Sequence, residues 1–359
     1  MATPRIDYEA ELTKKICKDN LLDADPFVLL DIGASQGIDN VWKNFGNNIK
    51  AYGFDPLVNE VRRLNTNEKN KNIRYFDAFI TDKNRNLNPY KNSEVWSRAS
   101  FNEANKITNT NFIKIFNNNN DDIVYSENYY SIDNFVKKNN LDNIDFIKID
   151  TDGHDINVLD GCHFALKNLE IIGLFIECQL QGENKKKSNI FRNIDKFLAD
   201  RGYSLYDFEL YRYSRKCLPS KFKHRLFAQT EKGQIFWGDA FFSKDIISSN
   251  FKKKFPTYSF TKKIKQICIF EIFGIYDCAA EIIIDMYKQN ELNTHQYEKW
   301  LNILARKNSM KFNTYNELIS AFNQNPYSFF PNKYGSDYRI YEILKSIKIF
   351  FKRHLNDEK

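Results

Sequence analysis

A chain of 359 residues, 42% hydrophobic and 15% aromatic, can bury a sizeable core in one large domain with an appendage or in two domains. That content excludes an intrinsically disordered chain, and no window approaches about 18 consecutive apolar residues, so nothing is expected to span a bilayer. The formal charge of +7 is uneven: residues 251–359 carry 18 Lys or Arg against 11 Asp or Glu, so the tail holds the whole excess. A basic tail points to an anionic membrane surface, a phosphorylated substrate or nucleic acid, against the plainer reading of a solvated lysine-rich surface.

The N-terminal stretch "MATPRIDYEAELTKKICKDN" is mostly polar and has no signal-peptide pattern. Six cysteines (17, 162, 178, 217, 268 and 278) form no C-x-x-C pair, which argues against a zinc ribbon or disulfide framework and for reduced thiols in a cytoplasm. No RNP-type, zinc-finger or helix-turn-helix signature accompanies the charge, so nucleic acid is not expected as a partner.

"PFVLLDIG" (26–33) reads as a buried strand that ends at Asp31 and breaks into the glycine loop "GASQG" before a helix, "GIDNVWKNFG". Glycines let a ligand approach the backbone, and the helix start would present N–H groups to it. A dinucleotide fingerprint fails, because Ser35 and Ile38 stand where glycines are needed. Gly33-Ala34-Ser35-Gln36-Gly37 does match the G-x-S-x-G nucleophile elbow, and His224 keeps the order of a hydrolase triad open. Against it, little sheet precedes the match, and no HGGG-like oxyanion motif does. A tight turn with no ligand is the remaining alternative.

Further apolar runs read as strands of a parallel sheet covered on both faces: 49–56, 73–80, 144–150 and 170–179. The helical patterns "LVNEVRRLNTNEK", "YYSIDNFVKKNN" and "DINVLDGCHFALKNL" separate them, and the alternation indicates a doubly wound α/β sheet. Asp55 closes the second run, just before Pro56, and also suits a helix N-cap. Residues 83–125, rich in Asn, Ser and Arg, interrupt the alternation and read as an insertion near the substrate side. "NNNNDD" within them is a turn or loop. After a helix around 186–201, 202–215 and 234–244 read as two late strands. From about 250 the pattern is helical, which puts a domain boundary near 248.

"FIKIDTDGHDINVLDG" (146–161) ends an apolar strand in Asp150, Asp152, His154 and Asp155. A calcium loop fails, since its glycine falls at the fourth position instead of the sixth and its twelfth residue is Gly161. A two-histidine zinc helix fails for want of a second histidine. A strand tip at the carboxyl edge of the sheet, where open α/β folds place ligands, fits better. Capping of "INVLDGCHFAL" is the competing role for Asp152 or Asp155, and a structural one for His154. Arg98, Arg212 and Arg215 could grip an acidic or phosphorylated sugar, or stand solvated at the surface.

"VLLDIGASQG", "AYGFDP", "IDFIKIDTDGHDINVLDG" and "LFIECQ", in this order, resemble the FkbM family of class I S-adenosylmethionine-dependent methyltransferases over roughly residues 25–245. Family members carry "LKIDVEGHE"-like sequences at the third stretch, and Asp152 here replaces the family's Glu. The resemblance implies a seven-strand Rossmann-like methyltransferase sheet at 1–248, with the insertion at about 83–125, and a basic helical extension at 249–359. It implies S-adenosylmethionine as cofactor, with Asp31, Gly33, Ser35 and Gly37 around its methionine part. Asp55 would hold the ribose, and Asp77 and Ala78 the adenine. Asp150, then Asp152, then His154, would meet the reacting centre, as a base or as ligands of a divalent ion that nothing in the sequence specifically supports.

The reaction implied is O-methylation of a hydroxyl, with a sugar of a surface polysaccharide or other glycoconjugate as acceptor. The rival is a non-catalytic nucleotide-fold module docked by its basic tail to a membrane or glycan-assembly complex. The expected location is cytoplasmic, with a peripheral contact at the inner face of the membrane through "YEILKSIKIFFKRHL" (341–355). On a helix most of that segment's apolar residues could share a stripe bordered by lysines.

Overall fold

The computed structural model describes residues 6–82, 98–100, 125–151, 153–182, 188–223, 229–254, 258–309 and 311–329. Asp152, His224, "NNNNDD" and the segment 341–355 lie outside the described residues.

Every side chain of the first strand, β1 (Phe27–Ile32), is buried, as a strand covered on both faces requires. Alternate side chains take opposite faces. Val28, Leu30 and Ile32 join a core with Phe54, Phe135 and Ile149. Phe27 turns the other way and stacks on Phe45 at 4.3 Å and Trp42 at 5.5 Å.

β2 (Ile49–Asp55) and β3 (Ile73–Asp77) lie parallel on one side of β1. β6 (Phe146–Ile149) and β7 (Gly173–Gln179) follow on the other. The late strands β8 (Tyr203–Tyr213) and β9 (Gln234–Lys244) complete seven, in the order β3-β2-β1-β6-β7-β9-β8, with β9 antiparallel to both neighbours. The order reverses between β1 and β6. Their carboxyl ends therefore flank the crevice that such folds use for ligands. The doubly wound seven-strand α/β expectation is met.

Locally the structure departs from the sequence pattern in three places. The run 73–80 divides at Ala78, whose N–H donates to Asp55 O at 3.2 Å, and β4 (Phe79–Ile80) pairs instead with β5 (Tyr129–Tyr130) in a separate two-stranded sheet. The expected helix after the glycine loop is only a 3-10 segment, Asn40–Phe45. Residues 155–169 form two helices, Asp155–Asp160 and His163–Asn168. At the break a Cβ on Gly161 would lie 2.4 Å from Thr81 O. The Asp133 carboxylate there accepts from Phe164 N–H (2.8 Å) and Ala165 N–H (2.9 Å), capping the second helix.

The chain divides into compact units at Met1–Gly274 and Ile275–Lys359, so the division falls at Gly274 and not near 248. The reason is the helix Phe260–Ile272, buried all round in the first unit. Its Glu271 accepts from Leu12 N–H, Thr13 N–H and Thr13 Oγ1, each at 2.7 Å, at the start of the helix Glu11–Lys18. Its Lys262 and Lys265 pair with the buried Asp145 at 2.7 and 2.9 Å, and Lys265 also with Asp25 at 2.7 Å. These lysines pair with carboxylates of the first unit, the buried Asp145 among them, and so leave the reckoning of a basic tail. Residues 275–359 carry 12 Lys or Arg against 10 Asp or Glu.

The second unit holds the helices Tyr276–Lys288, Thr294–Asn308 and Tyr315–Gln324. Asn293 with Gln296, and Thr314 with Glu317, form capping boxes at the last two. No described helix is long and apolar enough to cross a membrane.

Candidate active site

The loop after β1 is built by its contacts. Gly33 N–H and Ala34 N–H both donate to Phe54 O at 2.9 Å, which ties the turn to the end of β2. Gly33 has φ +87°, and a Cβ there would stand 1.8 Å from Asp150 O. Only glycine lets the tips of β1 and β6 touch in this way. Further along, Gln36 N–H donates to Glu60 Oε1 (3.0 Å), and Ile38 N–H to the Tyr75 hydroxyl (3.1 Å). Ser35 is exposed at the top of the loop. No α-helix follows. Asp39 already accepts from Val41 N–H at 2.8 Å, so the expectation of a helix N-terminus turned to a ligand does not hold.

Three charged groups join the two strand tips. Lys148 Nζ lies 3.3 Å from Asp31 Oδ1 and 3.3 Å from Asp150 Oδ2. Asp31 is buried, and burial pushes it up to about 6 even though Lys148 pulls the other way. Burial also opposes the Lys148 charge, but Asp31 and Asp150 outweigh it and hold the ammonium above its ordinary range. Asp150, with 49% of its side chain exposed, is the member of the trio open to solvent.

At the end of β2, Asp55 is buried, and Oδ1 accepts from Leu57 N–H at 2.8 Å. Burial raises its pKa, offset in part by that hydrogen bond. Among the described residues no group bonds its Oδ2. Asp77 ends β3, where Ser126 Oγ and Asn128 Nδ2 bond its backbone oxygen (2.7 and 3.1 Å) and its Oδ2 (3.2 and 3.4 Å). The Ala78 methyl belongs to the core cluster beneath.

The described residues of the insertion lie at the same edge. Ala99 bridges Arg215 after β8, and Tyr125 bridges Leu57 after β2.

Beyond β6, Asp155 does not cap its own helix. Its Oδ1 accepts from Thr151 N–H (3.0 Å) and Thr151 Oγ1 (2.9 Å), and its Oδ2 from Asn189 Nδ2 (2.8 Å). The Asn189 side-chain oxygen in turn accepts from Ile156 N–H at 2.8 Å. These bonds fix the turn that carries His154. Burial lowers the His154 pKa, opposed by a hydrogen bond to Asn157. The shift favours the uncharged imidazole.

Sequence reasoning passed over three groups that share this edge. Register places Glu177 of β7 opposite Asp239 of β9, and Asp150 next to Glu177 on the adjoining strand. Glu177 stands beside Asp150 in that register, and burial, then the charge of Asp150, pushes its pKa up. Asp239 Oδ2 accepts from the Tyr211 hydroxyl at 2.7 Å, and burial pushes this carboxyl up to about 6. The available signal was a carboxylate inside an apolar strand, "GLFIECQ", which a fully covered strand does not need.

Arg212 and Arg215 bond oxygens within the β8–β9 region through their side chains, and Arg98 meets it through its backbone. Arg212 donates to Gly233 O at 3.3 Å and Arg215 to Gln234 Oε1, while Arg98 O accepts from Lys216 N–H at 3.3 Å. Among the described residues no cluster of three His, Cys, Asp or Glu has the geometry to hold a metal ion.

Compared with known proteins, residues 31–205 match the family model for the methyltransferase FkbM domain. No curated protein sequence matches the chain. Among solved structures, the chain is similar to magnesium protoporphyrin IX methyltransferase from Synechocystis PCC 6803 with bound SAM, at 8% identity over 66% of this chain and 80% of that one, TM-score 0.28. A SAM-dependent methyltransferase from Aquifex aeolicus matches at 14% identity over 67% and 94% of the two chains, TM-score 0.27. The 1,6-didemethyltoxoflavin-N1-methyltransferase from Burkholderia thailandensis matches at 10% identity over 66% and 77%, TM-score 0.28. The family follows from the domain match and not from these distant likenesses. Residues 31–205 carry a methyltransferase domain of the FkbM family.

Proposed function

We propose that this enzyme methylates an oxygen, at a hydroxyl of a sugar in a surface polysaccharide or other glycoconjugate. The observation that carries the reading is the contact between the glycine loop and the β6 tip, which sets the exposed Asp150 carboxylate beside the donor's loop. When bound, S-adenosylmethionine supplies a methyl group on a positively charged sulfur, already activated for displacement. The residues present suit that molecule: a loop that a single Cβ would obstruct, the exposed Ser35, and the Oδ2 of Asp55, which no group among the described residues bonds.

In this reading Asp31, Gly33, Ser35 and Gly37 hold the methionine part. Asp55 accepts from the ribose hydroxyls, and Asp77 and Ala78 border the adenine. Asp150 takes the acceptor's proton, and the protein otherwise aligns two reactants. His154, fixed by the Asp155 turn, and Asp152 stand next to it in sequence. Sugar hydroxyls are the acceptor class that matches a carboxylate-lined edge, because carboxylates accept hydrogen bonds from hydroxyls and repel anions. Arg212 and Arg215 each spend one guanidinium N–H on an oxygen of the hairpin, which leaves neither wholly free for a phosphorylated acceptor.

Mass spectrometry of glycans from cells with and without the protein tests the acceptor class. A methyl ether that disappears with the protein is expected, and unchanged glycans would overturn the assignment. The cofactor arm is tested separately. Asp55→Ala weakens calorimetric binding of S-adenosylmethionine by about 1–3 kcal/mol, the range for losing charge-assisted hydrogen bonds. Asp55→Asn retains the side-chain oxygen that caps Leu57 N–H and separates ribose binding from loop structure. Unchanged affinity in both variants would remove Asp55 from the site.

A further inference from the structure

The Asp150–Glu177 contact has a consequence for how the reaction is set up. Two carboxyl groups in hydrogen-bond contact cannot both carry charge, because one of them must supply the bridging proton. Which one keeps it is decided by the neighbours. Asp150 is half exposed and has the Lys148 ammonium 3.3 Å away. Glu177 sits deeper, between the Asp239 carboxylate of β9, the Asp155 carboxylate of the following helix and Asp150 itself. Tyr211 and Tyr213 of β8 complete its surroundings, the first bonded to Asp239 and the second receiving an indole N–H from Trp237 at 3.0 Å. Negative charge is therefore favoured on Asp150 and disfavoured on Glu177.

We propose that Glu177 is a positioning residue of the methyl-transfer site: as a neutral carboxylic acid it donates a hydrogen bond to Asp150 and orients that carboxylate toward the acceptor hydroxyl. The inference rests on the reading of Asp150 as the hydroxyl's base. In the step itself the acceptor O–H bond breaks and its proton passes to Asp150. The acceptor oxygen takes the methyl group as the donor's carbon–sulfur bond breaks, leaving a neutral thioether. Asp150 then returns the proton to water, and Glu177 keeps its own throughout. Ionising Glu177 would place a second negative charge against Asp150 and remove the donor that orients it. Burial and the carboxylates around it raise the Glu177 pKa, so that loss falls on the alkaline side of the profile and activity should drop as pH rises there.

The test compares the parent, Glu177→Gln, Glu177→Ala and Asp150→Asn, each with methyl-labelled S-adenosylmethionine and a glycan extract as acceptor. Glutamine donates as the neutral acid does but cannot ionise. Glu177→Gln should keep turnover within about threefold of the parent and lose the alkaline fall, whereas Glu177→Ala should lower kcat by roughly tenfold with KM for the donor little changed, the equivalent of one hydrogen bond. Should Glu177→Ala not fold, the pH profile of Glu177→Gln against the parent still decides. An identical alkaline limb in the two, or Glu177→Gln as impaired as Glu177→Ala, would overturn the inference about Glu177. Full activity in Asp150→Asn would instead overturn the reading on which it rests.

Discussion

Replacing Asp150 by asparagine lowers turnover by about a hundredfold to ten-thousandfold, the range that a positioned proton acceptor contributes. Asparagine keeps the size of the side chain and a hydrogen-bond partner for Lys148 and Glu177, but it cannot take a proton near neutral pH. The side chain is 49% exposed, so folding stability should move by no more than about 0.5 kcal/mol. Kinetics at saturating donor and a denaturant titration of the same preparation separate the two effects. Parent-like turnover would show that the strand tip does not supply the base. Running the assay with EDTA adds a second distinction: activity that survives the chelator excludes a readily removed divalent ion as the activator of the hydroxyl.

Gly33→Ala is the second large effect, and it acts through the backbone. The added Cβ would stand 1.8 Å from Asp150 O, far inside any contact distance, at a φ of +87° that alanine adopts only under strain. Strained backbone alone costs about 1–3 kcal/mol. Separating the tips of β1 and β6 also moves the donor loop away from Asp150, so cofactor affinity and turnover should fall together. Calorimetry with S-adenosylmethionine is expected to show binding weakened at least about tenfold, alongside a lower denaturation midpoint. A variant that binds the cofactor as the parent does would mean that the loop can reseat without β6, and the shared geometry of the two tips would lose its importance.

What the sequence made legible was what short-range pattern encodes. Covered parallel strands write themselves as apolar runs, and β1, β2, β6 and β7 appear where "VLLDI", "AYGFD", "FIKI" and "GLFIECQ" lead one to look. The glycine loop and the acidic strand tip are also local features, and the structure brings them into contact. Long-range pairing was not legible. Lys262 and Lys265 look like part of a solvated basic helix until Asp145 and Asp25, far earlier in the chain, are found beside them. The break after Asp160 depends on Thr81 O meeting Gly161 and on Asp133 capping Phe164, neither visible in residues 155–169. Glu177 was missed for the same reason: its meaning comes from Asp150 and Asp239 on the adjoining strands, and a carboxylate in an apolar run shows nothing of its neighbours.

Transfer of a labelled methyl group from S-adenosylmethionine into an acceptor tests the assignment of O-methylation most directly. The purified protein is incubated with the labelled donor and a glycan extract, and fragmentation mass spectrometry locates the label. An ether on a sugar oxygen, absent when Asp150→Asn replaces the parent, is the predicted result. Label recovered on nitrogen or carbon, or no transfer to any glycan by a protein that binds the donor, would contradict it.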